Sequence, residues 1–164
     1  EELESIEDAI RIYDTKMKTG NTSLDILLQE KSLICAKNSI TFDCIIDGKQ
    51  LKFIKDSDIY SLFGNILDNA IESCLKLENK DQRTITLKVK KIANGVFCYE
   101  ENPIYTPIYF KDGLPISTKG DNRYHGFGMK SIANIVNSYQ GTLKIKSERN
   151  RFCLSIFFPE NENE

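Results

Sequence analysis

Apolar residues recur along the chain with two periods, one typical of helices and one typical of strands. Helical spacing of three and four positions is found in residues 3–17, 24–34, 59–74 and 129–139. Strand-like alternation is found in residues 40–46, 84–90, 96–100, 143–145 and 152–158. Because the strands come mostly as hairpins and the helices as separate pieces, we predict an α+β fold. It is a two-layer α/β sandwich with a mixed, mostly antiparallel sheet and helices on one face.

Turn-forming residues separate the predicted strands. Asp47-Gly48 predicts a hairpin turn into a short return strand at residues 51–53, and Asn94-Gly95 predicts a two-residue turn. Another turn is predicted at residues 148–150. Residues 102–126 hold three of the four prolines and no periodic segment, and a stretch of this length inside a compact domain is usually functional.

The N-terminal helical segment has a pattern of its own. Its apolar residues follow the a/d spacing of a heptad repeat over little more than two heptads: Leu3, Ile6, Ile10, Tyr13 and Met17. Two interpretations stay open, the end of a dimerisation helix and a surface helix folded back on its own domain. We divide the chain into residues 1–18, the C-terminal end of a dimerisation helix on the first interpretation, residues 19–159, the main domain, and residues 160–164, a polar tail.

The charge of the chain is nearly balanced, with 22 Lys and Arg against 24 Asp and Glu and a net charge of −2. This balance disfavours broad nucleic-acid binding, so we expect no nucleic-acid partner. No apolar run approaches the roughly 20 residues that a membrane span requires. The first residues are acidic where a signal peptide is basic. We therefore expect no membrane or export segment within this sequence.

Five cysteines are spread along the chain: Cys35, Cys44, Cys74, Cys98 and Cys153. They form no Cys-x-x-Cys pair, and the only histidine is His125, so the spacing of a structural zinc site is absent. We predict five small buried hydrophobic side chains in a reducing compartment.

The predicted helix at residues 59–74 carries an unusual polar sector. Asn65, Asp68, Asn69 and Glu72 fall within roughly 100° of one another around the helix axis. An ordinary surface helix favours Lys and Glu, whereas an Asn carbonyl oxygen is a suitable ligand for Mg²⁺. A solvated face that happens to carry asparagines is the alternative.

A second candidate region precedes and opens the helix at residues 129–139. Gly126 and Gly128 form a Gly-x-Gly at the predicted helix start, where backbone N–H groups can approach an anion. Lys119, Arg123 and His125 can surround the same anion. Neither the Rossmann nor the P-loop glycine pattern is met, and a flexible basic loop with glycine hinges is the alternative.

Taken together, the two regions resemble the GHKL ATPase superfamily, whose ATP-binding fold is the Bergerat fold. Residues 62–72 resemble its N box, and residues 117–132 resemble its ATP lid and G2 box. The sequences of residues 68–72 (Asp-Asn-Ala-Ile-Glu) and 117–119 (Ser-Thr-Lys) resemble in particular those of the AgrC/ComD/VirS group of peptide-sensing, quorum-sensing receptor histidine kinases. The resemblance spans roughly residues 19–158.

The resemblance implies roles for individual residues. Asn69 matches the N-box asparagine that binds Mg²⁺, and Asn65 matches the polar position near the phosphates, so these two are the expected catalytic residues. Gly126 and Gly128 match the G2 glycines whose backbone contacts the triphosphate. Further phosphate contacts are expected from three lid side chains: Lys119, Arg123 and His125.

One departure concerns the base. The G1 box Asp-x-Gly-x-Gly, whose aspartate reads adenine in most of the superfamily, is absent, and residues 101–103 (Glu-Asn-Pro) stand in its place. The Asn102 amide can accept from the adenine N6 amino group and donate to N1, so we assign Asn102 to adenine. Many histidine kinases also carry Lys where Glu72 stands, which makes Lys119 and Arg123 more important.

The resemblance implies the catalytic ATP-binding domain of a two-component sensor histidine kinase. It would bind ATP and Mg²⁺ and transfer the γ-phosphoryl group to a histidine on an upstream dimerisation helix that this chain does not contain. The implied partners are that phosphoacceptor domain, a response regulator and, in the full-length protein, a second copy. The implied location is cytoplasmic, as the cytoplasmic domain of a membrane-anchored receptor. Two alternatives stay open: a degenerate GHKL module that acts by interaction without nucleotide turnover, and another GHKL ATPase.

Overall fold

The computed structural model describes residues 17–116 and 125–160, and the side chains of the second range from Gly128 onward. The predictions for the heptad segment up to residue 16, for Lys119 and Arg123, and for tail residues 161–164 lie outside the described residues, as do those for the His125 side chain.

The described elements follow the predicted order. The three helices are α1 (Thr22–Lys37), α2 (Asp56–Leu75) and α3 (His125–Ser138). The strands are β1 (Thr41–Ile46), β2 (Thr84–Ile92), β3 (Gly95–Pro103), β4 (Tyr109–Lys111), β5 (Leu114–Ile116), β6 (Thr142–Glu148) and β7 (Arg151–Pro159). Two 3₁₀ turns occupy Gly48–Leu51 and Lys80–Gln82. In the described ranges, no helix combines the length and apolar character needed to cross a bilayer.

The strands form one large sheet and one small hairpin. The sheet has the order β1-β2-β3-β7-β6, and β4 pairs with β5 separately. Only β1 and β2 are parallel among the pairs of the described sheet. The predicted two-layer α/β sandwich with a mixed, mostly antiparallel sheet is confirmed.

Alternation along the strands assigns one face of the sheet to the helices. On β7 the core-facing residues are buried (Phe152, Leu154, Ile156 and Phe158), whereas the residues between them are half-buried. The helices contribute their own apolar faces to the same core, with Leu24 and Leu28 of α1 and Ile59, Phe63 and Leu67 of α2 fully buried. This packing places α2 against β3, the central strand of the sheet, and the candidate site lies at the end of that strand.

The predicted return strand at residues 51–53 is wrong. The chain forms the 3₁₀ turn Gly48–Leu51 instead, and Leu51 is completely buried. β1 pairs in parallel with β2, from Thr41 opposite Thr84 onward. Parallel neighbours cannot be joined by a hairpin and need a crossover, which α2 supplies. The Gly48 N–H donates to the Thr19 carbonyl oxygen (2.9 Å), so this turn also secures the entry into the domain.

The other turn predictions are largely correct. Ile92 pairs with Gly95, so the first turn is Ala93-Asn94, one residue earlier than predicted. Arg149 and Asn150 have φ of 50° and 59°, as a type I′ hairpin requires. The segment 102–126 contains structure that the periodicity did not predict, because β3 continues to Pro103 and Asp112-Gly113 connects β4 to β5.

The prediction of five buried cysteines is wrong for two of them. Cys35, Cys74 and Cys98 are buried, whereas Cys44 and Cys153 are half-buried. Desolvation raises the pKa of the Cys35 thiol to about 11 and of Cys74 and Cys98 to about 12. These thiols are therefore protonated and unreactive at neutral pH.

Candidate functional site

A cavity of about 460 Å³ opens between α2, the end of β3 and the first turns of α3. Its size is that of a small-molecule site. The polar side of its lining comes from Asn69, Glu72, Ser73, Lys76 and Asn102. The apolar side comes from Ile104, Tyr105, Pro107, Ile108, Pro115, Ile116, Met129 and Phe152, with Thr106 among them.

The polar sector of α2 is divided between two surfaces. Asn69 and Glu72 line the cavity, and Glu72 also forms an ion pair with Lys76 (3.5 Å). Asp68 instead faces α1, where its Oδ1 lies 2.8 Å from Lys31 Nζ. The predicted sector therefore does not act as one ligand set, and Asp68 belongs to a helix–helix contact.

Lys31 is a residue that the sequence analysis missed. Its side chain is only 10% exposed, whereas that of Asp68 is 62% exposed. Burial lowers the pKa of Lys31, but the hydrogen bond and the charge of Asp68, with Glu30, outweigh it and raise that pKa above its ordinary 10.5. Lys31 is therefore a charged contact between α1 and the helix that carries Asn69.

The first turn of α3 packs against the two candidate asparagines of α2. A β-carbon at Gly128 would lie 3.4 Å from Asn65 Oδ1 and 3.7 Å from both amide atoms of Asn69. Asn65 Nδ2 donates to the Ser61 carbonyl oxygen (2.7 Å), which fixes the orientation of its amide. The structure thus brings Asn65, Asn69 and Gly128 together.

For two of the other predicted phosphate contacts, the structure describes only the position of the backbone. His125 and Gly126 are the first two residues of α3, so their backbone N–H groups belong to the helix N-terminus. That position carries partial positive charge and N–H groups without intrahelical partners.

Asn102 lies in the opposite wall of the cavity, at the end of β3. It is 3% exposed and pairs with Phe152 of β7. Its Nδ2 donates to the Pro103 carbonyl oxygen (2.8 Å), which also accepts from Ser73 Oγ of α2 (2.8 Å). These bonds tie the end of β3 to α2, and within the described ranges the second N–H of the Asn102 amide remains available to another acceptor.

A polar network on the open face of the sheet holds the same strand end. Arg151 of β7 forms an ion pair with Glu101, the neighbour of Asn102, and donates to Thr84 Oγ1 (3.3 Å). The Tyr99 hydroxyl donates to Glu101 Oε2 (2.8 Å). Desolvation, with hydrogen bonds to Cys153 and Glu101, raises the pKa of Tyr99 above its ordinary value. These contacts hold the end of β3 from the face of the sheet opposite the helices, at the point where Asn102 lines the cavity.

Glu100 is the second residue that the sequence analysis missed. It is 1% exposed, and within the described part of the chain its Oε1 has no hydrogen-bond partner. Burial raises its pKa well above 4.5, although the charge of Arg151 partly opposes this. Its signal in the sequence is its place in the alternation, since it shares the face of Val96, Cys98 and Asn102.

A family model described as GHKL domain matches residues 54–159, which include α2, both cavity walls and α3. No curated protein sequence matches the chain significantly.

Solved structures of two histidine kinases are similar to the chain. The catalytic domain of histidine kinase ThkA has a TM-score of 0.61 at 18% identity, over 84% of this chain and 95% of that one. Acinetobacter baumannii histidine kinase AdeS has a TM-score of 0.57 at 13% identity, over 86% of this chain. The match covers 64% of the AdeS chain. At these identities the likeness shows the fold alone.

Proposed function

Since the chain belongs to the GHKL domain family, we propose that it is the catalytic ATP-binding domain of a two-component sensor histidine kinase. The observation that carries this proposal is the contact of Gly128 with Asn65 and Asn69 beside a cavity that Asn102 closes at its other wall. The contact places a helix N-terminus against two amides, which suits an anion, while the far wall offers an amide among apolar side chains.

The base would occupy the end of the cavity at Asn102. The Asn102 oxygen would accept from the adenine N6 amino group, and its remaining N–H would donate to N1. Phe152, Met129 and Ile104 line the same cavity and would cover the faces of a flat base. Because Asn102 is buried, a base with the wrong donor pattern would leave its amide unpaired at a substantial cost.

The phosphates would lie toward α3. The backbone at Gly126 and Gly128 would contact them, and Lys119, Arg123 and His125 would contribute charge. The residues fit a Mg²⁺ ion as well, because the amide of Asn69 faces the glycine and Glu72 lines the same cavity. Mg²⁺ would neutralise phosphate charge, with Asn69 as its ligand and Asn65 nearby at the phosphates.

Phosphoryl transfer depends on positioning and charge stabilisation more than on covalent help from the protein. The acceptor would be a histidine on an upstream dimerisation helix outside this chain, and residues 1–18 would be the end of that helix. The full-length protein would be a homodimeric, membrane-anchored receptor of the AgrC/ComD/VirS type. This chain would be its cytoplasmic kinase domain and would signal to a response regulator.

Calorimetric titration with a non-hydrolysable ATP analogue, with and without Mg²⁺, tests the proposal. We expect Mg²⁺-dependent binding in the wild type, its loss in Asn69→Ala, and unchanged binding in Asn137→Ala, which alters an exposed asparagine at the far end of α3. Absence of binding in the wild type at millimolar analogue would contradict the proposal and favour a degenerate module that acts by interaction. Phosphohistidine formed on the isolated chain would contradict the upstream acceptor.

A further inference from the structure

The helices pack on one face of the sheet and leave the opposite face, here called the open face, outside the core. On β7 this face carries Ser155 and Phe157, which are half-buried between the buried core positions. The strand register carries one row of open-face residues across the whole sheet, in the order β1-β2-β3-β7-β6. The row consists of Ile45, Lys88, Tyr99, Ser155 and Lys144.

The open face combines an apolar centre with a basic rim. Phe97 stacks on Tyr99, with ring centroids 6.4 Å apart, and Phe97 lies opposite Phe157 in the register. Ile45 of the edge strand is 69% exposed. Exposed lysines flank this centre on β2 and β6: Lys88, Lys90, Lys144 and Lys146. The ion pairs between described residues engage none of these four lysines.

The acids of the open face do not neutralise this rim. Glu101 is paired with Arg151, and Glu148 lies opposite the same Arg151 in the β6–β7 register. Asp43 is exposed on the edge strand β1, opposite Thr86. The described part of the open face therefore suits an acidic segment that also has an apolar side.

The chain enters the domain at the edge of the open face. Met17 is the first described residue, and it lines a cavity of about 540 Å³ together with Ile45, Thr86 and Lys88 of the open face. The remaining lining comes from β1: Phe42, Asp43 and Cys44. The residues that precede Met17 therefore join the domain beside β1, at one end of the row that crosses the sheet.

The sequence before Met17, residues 1–16, here called the N-terminal segment, complements the open face. It holds six acidic and two basic residues, and its apolar residues follow the heptad spacing described above. Glu7 and Asp14 each directly follow an apolar residue of that spacing, so a helix would place them in one row beside its apolar side. A helix from residue 17 back to residue 3 is about 21 Å long, and the sheet from β1 to β6 is about 19 Å wide.

We propose that the N-terminal segment folds back as a helix on the open face of its own chain, with its apolar side on the aromatic centre. Asp14 lies about 4.5 Å along the helix from Met17, next to the β2 lysines, and Glu7 lies about 15 Å along it, next to the β6 lysines. The inference does not depend on the nucleotide site. Docking buries the same apolar residues that a dimerisation helix would pair, so docking and dimerisation through this segment exclude one another.

Hydrogen exchange with mass spectrometry on the full chain measures the protection of the N-terminal segment. Lys88→Glu with Lys144→Glu forms the rim variant, and Lys80→Glu reverses an exposed charge in the second 3₁₀ turn as the matched control. A swap variant adds Glu7→Lys and Asp14→Lys to the rim variant and so restores opposite charges. Thermal unfolding shows that each variant is folded. Carbodiimide cross-linking of mixed isotope-labelled and unlabelled chains shows whether the contact lies within one chain.

We expect amide exchange in the N-terminal segment to be about 10-fold faster in the rim variant than in the wild type and Lys80→Glu, and to slow again in the swap variant. Cross-links should join Asp14 to the β2 lysines and Glu7 to the β6 lysines within one chain.

An unprotected N-terminal segment in the wild type would overturn the proposal, as would protection that the rim variant does not reduce. Cross-links between labelled and unlabelled chains would also overturn it and make a second copy the occupant of the open face. If the rim variant does not fold, Lys144→Glu alone, with Glu7→Lys as its swap, replaces it in the same comparison. None of these outcomes alters the expected binding of ATP, which the titration of Asn69→Ala tests separately.

Discussion

Gly128 faces Asn65 across the contact between α3 and α2, at a distance that leaves room for a methyl group. A β-carbon at Gly128 would stand 3.4 Å from Asn65 Oδ1, which is ordinary van der Waals contact. The position therefore does not need glycine for folding. What glycine leaves open is the space in front of the two amides, where we place the phosphates.

Gly128→Ala separates a structural from a functional reason for this glycine. Alanine favours a helix by up to about 1 kcal/mol over glycine, so we expect the free energy of unfolding to be unchanged or slightly higher. We expect affinity for the ATP analogue to fall at least 10-fold, because the methyl group occupies the approach to the α3 N-terminus. Chemical denaturation and calorimetric titration measure the two quantities. Unchanged affinity would show that the phosphates do not bind at this contact.

Gly64→Ala is the matched control on the other helix. Gly64 lies within α2, and the nearest atom to an added β-carbon is Leu27 Cδ1 at 4.0 Å. The substitution removes the entropic cost of a glycine in a helix interior, so we expect stability to rise by about 0.5–1 kcal/mol. Nucleotide affinity should stay the same. A loss of affinity in this variant would mean that Gly128→Ala also acts through the helix rather than through the site.

The sequence predicts α2 well because its apolar period is long and its burial follows that period. Leu51 and Phe53 share strand-like spacing too, but Leu51 is drawn into the core by a 3₁₀ turn, and so short an alternation cannot separate the two outcomes. β4 and β5 have three residues each, which is too few to show the alternation of apolar and polar residues that predicts a strand.

The candidate site shows the same division between local and distant information. Asn65, Asn69 and Gly128 are recognisable from motifs that are local in sequence. The ion pair between Lys31 and Asp68 joins α1 to α2. The sequence of either helix alone does not indicate which residue of the other helix completes the pair. Among the described residues, Glu100 Oε1 has no hydrogen-bond partner because of what β2 and β7 place around it, and this becomes visible only in the folded chain.

Asp68→Asn tests whether Asp68 belongs to the nucleotide site or to the contact with α1. The ion pair with Lys31 is half open to water, since the Asp68 side chain is 62% exposed, so we expect a loss of only about 0.5–1 kcal/mol in the free energy of unfolding. Affinity for the ATP analogue and its Mg²⁺ dependence should not change. A Mg²⁺-specific loss in this variant would contradict the division of the polar sector and make Asp68 a second metal ligand.

The pH dependence of stability tests whether burial raises the pKa of Glu100 in the folded chain. Its folded pKa is raised above 4.5, so between pH 4.5 and that raised pKa the folded chain holds a proton that the unfolded chain has lost. Linkage then requires the contribution of Glu100 to stability to be full below pH 4.5 and to fall as the pH rises through this window.

Glu100→Gln removes this titration and keeps the shape of the side chain. We expect it to be more stable than the wild type at pH 8, by on the order of 1–3 kcal/mol, and to lose that advantage near pH 4. Urea denaturation of both chains across this range, with Glu148→Gln as the exposed control, measures the difference. If the difference between wild type and Glu100→Gln does not vary with pH, Glu100 ionises alike in the folded and unfolded chains, and its burial does not raise its pKa.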